Sequence, residues 1–202
     1  HIGNVVLAKN ILDNAIKRTS SNVELRLHRL LLDCSHGEVS RTNLEDAYNS
    51  IKQSDYDFRT FDLLRVFVEL TGPGRCKGIG PADSRELLNI LSKLRLASLP
   101  GAKRQISHLM GQVELQMGDT KRAAEIFMEA QKDRADPDLA LLETALLGTY
   151  GAISEARAHL DLIEREVGKT SMMIDNMPLQ LAIARLRSQL ERTQSPALTD
   201  NP

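Results

Sequence analysis

The residues with the most chemical potential in this 202-residue chain are two cysteines, five histidines and a line of glutamines. Cys34 and Cys76 are its two thiols. They form no CxxC pair, and Cys34, His36 and Cys76 lack a fourth ligand, so tetrahedral zinc is not expected. They read either as two separate buried thiols or as one disulfide, which would imply an oxidising compartment. None of the histidines sits in HExxH or beside a Ser/Asp pair with a nucleophile signature. His108 and His159 fall inside helical patterns and read as surface or satisfied core histidines. Glu164 and Glu166 point to different sides of a helix, which suits solvation rather than acid–base work. The stretch Gly72-Pro73-Gly74-Arg75-Cys76-Lys77-Gly78 fits neither GxGxxG nor GxxxxGK[ST] and follows a helix rather than a strand. It reads as a flexible turn. Met172, Met173 and Met177 could make an adaptable surface but fit packing of the last helix better. No catalytic residue, metal ligand set or cofactor site is expected. What remains is Gln105, His108, Gln112 and Gln116, a polar line at three-and-four spacing. Amides both donate and accept, so such a line can hydrogen-bond an extended peptide backbone; it also fits an ordinary exposed helix face.

The elements that carry these residues are helical. The chain is 42% hydrophobic and 26% charged, with 3% aromatics and no Trp. So few β-formers point to an all-α fold. Lys plus Arg number 26 against 27 Asp plus Glu, a net charge of −1, and the two signs are interleaved. A nucleic-acid binder shows a basic excess or stripe, so that class is set aside. No apolar run approaches the ~20 residues that span a bilayer, so no direct membrane insertion is expected. Ile2 to Ala8 is apolar but lacks the basic n-region and cleavage site of a signal peptide. A start at His1 reads as an excised piece of a longer protein or a tag remnant.

Amphipathic periodicity predicts about ten helices. The first covers Asn4 to Arg18. Capping boxes at Ser21 to Glu24, Thr42 to Glu45 and Asp83 to Glu86 open three more, with Gly37 stopping the first of these. Phe58 to Leu70 is a further helix. Pro100-Gly101 precedes a helix over Lys103 to Met117, and Gly118-Asp119 turns into Thr120 to Lys132. Asp136 caps a helix with Pro137 in its first turn, running to about Tyr150. Ile153 to Val167 and Pro178 to Arg192 complete the set. Residues 195–202 read as a flexible tail. Connections are mostly short, so neighbouring helices form antiparallel hairpins.

A period of 33 residues runs through the second half. Gly118-Asp119-Thr120-Lys121-Arg122-Ala123 recurs loosely as Gly151-Ala152-Ile153-Ser154-Glu155-Ala156. Gly111, Gly118, Ala123, Phe127 and Ala130 sit at hairpin spacing, and Ala156 and Leu160 echo them. Helices approach closely only where side chains are small, so Gly111 is expected to face Ala123, with Phe127 filling the space where they splay. The pattern resembles the tetratricopeptide repeat. It departs in Ser107 and Glu114, where that family favours Trp and Tyr, and in Thr144, which stands where Gly111 stood. The resemblance implies a right-handed superhelix of antiparallel hairpins as a single domain over 1–194, favoured here over a non-repetitive bundle. Ala8, Leu12 and Ala15 share the spacing of Ala123, Phe127 and Ala130. The first helix is therefore either the second half of a hairpin whose first helix is absent, or an ordinary amphipathic helix.

In such a stack Cys34 and Cys76 fall at the same end of adjacent layers. Packed helices lie ~8–10 Å apart, and a loop folding back could bring the Cα atoms within the ~4.4–6.8 Å of a disulfide. The segments Asp33 to Gly37, Gly74 to Gly78, Asp136 to Glu143 and Gly151 to Ala156 also look similar to soluble C-terminal regions of bacterial O-antigen-type glycan polymerases and ligases. That resemblance implies a periplasmic location and chemistry elsewhere in a membrane-embedded parent; a cytoplasmic location is the alternative. The expected function is non-catalytic binding of a protein or peptide, with a glycan-transferase accessory domain or a self-assembly domain as alternatives.

Overall fold

A computed structural model describes residues 2–19, 22–53, 64–65, 68, 76–98, 100–133, 136–168 and 176–194. Among them are nine helices and no strand, only an isolated parallel bridge between Glu38 and Lys77. The fold is all-α. The helix expected over Phe58 to Leu70 lies mostly outside the described residues, as does the tail at 195–202. The sequence pattern suggests one domain over 1–194. Within the structure two compact units stand out, His1–Ala97 and Ser98–Pro202.

The first unit holds α1 (Ile2–Arg18), α2 (Val23–His36), α3 (Arg41–Gln53) and α4 (Pro81–Ala97). Each packs on the next in order. Its core is aliphatic: Leu27, Leu30, Leu44, Ile51 and Ile90 are fully enclosed. The caps lie one or more residues from the predicted boxes. Asn22 Oδ1 accepts the Leu25 N–H (3.1 Å) at the start of α2. Ser40, not Thr42, caps α3 by accepting the Asn43 N–H (3.2 Å). Runs such as Ser40-Arg41-Thr42-Asn43 offer several capping side chains, and the point where the chain enters the helix selects among them. At α4 the acid acts in reverse: Asp83 Oδ2 accepts the N–H of Gly80 (2.9 Å), the returning half of a capping box.

Cys34 and Cys76 are joined in a disulfide with Cα atoms 4.8 Å apart. It fixes the end of α2 to the segment entering α4. There the Val39 N–H donates to the Lys77 carbonyl (2.9 Å). Gly78, at φ +89°, passes so close to the Val39 carbonyl that a Cβ would overlap it. Only glycine meets both demands.

The second unit holds α5 (Pro100–Met117), α6 (Thr120–Asp133), α7 (Pro137–Thr149), α8 (Ile153–Gly168) and α9 (Met177–Gln194). Pro100 is the first residue of α5 rather than a separator, because a proline at that position forfeits no helical hydrogen bond. The chain runs as two hairpins, α5–α6 and α7–α8. The second helix of the first hairpin packs on both helices of the second, and α9 closes against α7 and α8. The two hairpins turn identically. Gly118 (φ +87°) and Gly151 (φ +79°) end α5 and α7. After them Asp119 N–H reaches the Glu114 carbonyl and Ala152 N–H the Leu147 carbonyl, both at 2.9 Å. This is the Schellman closure, which places a glycine in the left-handed region. Between the hairpins, Gln131 grips the Asp136 backbone from both sides, and Asp136 caps α7 through the Leu139 N–H (3.1 Å). Ala123, Phe127, Ala140, Ala156, Leu160 and Ile183 form the centre of one core.

Candidate functional site

Helix α5 is buried around most of its circumference. Its most open stripe carries Gln105, which is exposed, with Gln112 and Gln116 half-buried. The fourth member of the expected polar line, His108, lies inside. It sits at the edge of the stripe nearest Arg104, and its ring is turned into the core, where its Nδ1 lies 3.3 Å from Glu143 Oε1. An interior carboxylate has drawn the imidazole away from the surface, so three of the four residues share the accessible side.

That carboxylate is the centre of a closed polar cluster. Glu143 on α7 has no exposed surface, and Arg104 on α5 retains 3%. Arg104 Nη1 and Nη2 donate to Glu143 Oε1 and Oε2 at 2.6 and 2.5 Å, a bidentate pair. From α8, His159 Nε2 lies 3.5 Å from Glu143 Oε2, and its Nδ1 lies 2.9 Å from Thr144 Oγ1. The Thr144 hydroxyl in turn reaches the Ala140 carbonyl (2.9 Å). Phe127 stands between the two imidazoles, its centroid 6.0 Å from the His108 ring and 6.1 Å from the His159 ring. Burial holds His159 below the usual histidine range. The Glu143 charge and the Phe127 backbone oppose this, the Arg104 charge reinforces it, and the net direction is down.

Phe127 reaches this position because Gly111 leaves room. The first three atoms a Cβ on Gly111 would meet all belong to the Phe127 ring, and the overlap would be severe. The Phe127 ring is therefore what lies directly against Gly111, with Ala123 buried in the same core. Ala123, Ala130, Ala156 and Leu160 are all buried. Two imidazoles and a carboxylate are metal-ligand types. Here Arg104 occupies both carboxylate oxygens, and among the described residues no group of three or more such side chains is placed to hold a metal.

The first unit has a polar cleft of about 400 Å³ between α3 and α4, bordered by Arg41, Glu45, Tyr48, Asn49, Asp83 and Glu86. Arg41 is tied to Glu45 (2.8 Å) and to Asp83. Tyr48 donates to the Asp83 carbonyl (3.1 Å). Burial pushes its phenol well above the usual tyrosine range. Nearby, Asp33 is buried beneath Lys9 (2.8 Å), Arg29 and Asn43 (3.2 Å). Burial alone would raise this carboxyl, but hydrogen bonds from Arg29, Lys9 and Asn43 outweigh it and hold the group below its ordinary range.

The sequence reading missed Glu143 and Arg104. The available signal was a single acid inside Leu141-Leu142-Glu143-Thr144-Ala145-Leu146-Leu147, since a lone charge in an apolar helix demands a partner. Arg104 and His108, one turn apart on α5, were the complementary pair. No known protein family, curated protein or solved structure matches the chain.

Proposed function

We propose that this chain is a non-catalytic helical-repeat module that binds an extended segment of another protein, and that its second unit is built from tetratricopeptide-like hairpins in a right-handed superhelix. The observation that supports the binding role is the open stripe of α5. Gln105, Gln112 and Gln116 line it, on a helix otherwise enclosed by its neighbours. Amide side chains both donate and accept, so the three can pair with the N–H and C=O groups of an extended backbone. Selection from a random dodecapeptide display library against the full chain, followed by calorimetry on the selected peptides, tests this reading. Saturable binding should weaken about two- to tenfold in Gln112→Ala, the effect of one neutral hydrogen bond. Unchanged affinity in Gln105→Ala, Gln112→Ala and Gln116→Ala would place binding elsewhere.

The disulfide favours a second, compatible reading, in which the module works in an oxidising compartment. A periplasmic accessory domain of a glycan polymerase or ligase would meet that condition.

A further inference from the structure

We propose that His159 is a proton-controlled latch in the second unit: proton uptake by this enclosed ring releases α8 from its packing on α6 and α7.

The argument begins with one hydroxyl proton. Thr144 can give it either to the Ala140 carbonyl or to His159 Nδ1, both 2.9 Å away. When it goes to Ala140, Thr144 offers His159 only lone pairs. The ring must then carry its hydrogen on Nδ1, leaving a bare Nε2 lone pair 3.5 Å from a carboxylate oxygen. In this geometry Nε2 is buried and has no hydrogen-bond partner. When the hydroxyl turns to Nδ1, the tautomer reverses and an Nε2–H faces Glu143. The neutral ring thus has two settings that differ by one hydroxyl rotation, both sealed from water.

A second proton falls on Nε2 and faces Glu143, a carboxylate that is already engaged. Both Glu143 oxygens already accept from Arg104, so the carboxylate charge is neutralised before His159 draws on it. The charged and titratable groups around the ring are Arg104 and His108 from α5 and Glu143 from α7. From α6 comes the Phe127 ring, with its backbone. From α9, Arg187 is held at the surface by Asp161 and Glu164 of α8 (2.9 and 2.7 Å). An imidazolium here leaves the cluster with net positive charge in a site with no exposed surface. Moving α8 outward hydrates it, so acid selects the opened state. The sign follows. The folded ring titrates below the unfolded one, so the stabilisation is complete above about pH 6.5 and is lost as pH falls toward the folded value.

Hydrogen exchange on the full chain at stepped pH, corrected for intrinsic rates, tests the latch together with NMR titration of the His159 ring. The opening constant of α8 amides should rise by up to about tenfold per pH unit below about pH 6.5, while α3 amides serve as an internal reference. His159→Gln, which stays neutral, should abolish the rise. Persistence of the rise in His159→Gln overturns the proposal, and so does a His159 ring that titrates at or above about 6.5 in the native chain. If His159→Gln does not fold, the native ring decides: titration coincident with α8 opening supports the latch, and titration without opening refutes it.

Discussion

The two hairpins of the second unit share a spacing and a turn, yet fill their crossings with opposite materials. In α5–α6 the crossing is apolar: Gly111 gives way and the Phe127 ring fills the gap. In α7–α8 the position 33 residues after Gly111 is Thr144, and it meets the imidazole of His159 across the crossing. The ring that fills the first crossing orients the histidines beside it, and Glu143 collects both. Backbone geometry therefore repeats at the turns, where a left-handed glycine ends each first helix. The filling is free to differ as long as volume and polarity are satisfied.

The largest expected effect separates polar filling from apolar filling. Glu143→Ala leaves the Arg104 guanidinium buried without a counter-charge, and should cost about 3–5 kcal/mol in the exchange stability of α5 and α7 amides. Replacing both partners, Arg104→Met with Glu143→Leu, should recover most of that loss, because an apolar pair of similar volume carries no desolvation penalty. If the double replacement is as damaging as the single one, the pair is worth more than a hydrophobic layer, and the two crossings are not interchangeable solutions.

The apolar crossing comes next. Phe127→Ala opens a cavity in an enclosed site and should cost about 3–5 kcal/mol on the same measurement. Gly111→Ala strains the same contact from the other side, since its Cβ meets a ring hemmed in by the core, and should cost about 1–3 kcal/mol. Combining Gly111→Ala with Phe127→Leu should be milder than the two separate losses added together. Strict additivity would mean that the glycine and the ring do not share one space.

How much of this was legible follows the range of each interaction. The all-α class, the turn glycines and the Asp136-Pro137 helix start are decided within a few residues, and periodicity exposes them. The Gly111–Phe127 crossing spans one hairpin, so the small-large spacing located both residues. The Arg104–Glu143 pair spans 39 positions and two hairpins. Nothing local says which cation answers a buried acid, and the same gap turned His108 from a surface residue into an interior one.

The smallest expected effect tests what the hairpins have in common. Gly118 and Gly151 hold nearly the same φ, and a Cβ at either would meet nothing within 4 Å. Alanine at these sites therefore adds only backbone strain, about 1–2 kcal/mol for a side chain in the left-handed region. The packing around the two crossings differs, but it does not enter this term. Gly118→Ala and Gly151→Ala should then lose the same amount within about 0.5 kcal/mol, and Asn at either site should lose less than Ala because its short polar side chain tolerates that conformation. Unequal losses would mean that one turn is strained through its own crossing, and the repeat would then be a resemblance of spacing rather than of backbone mechanics.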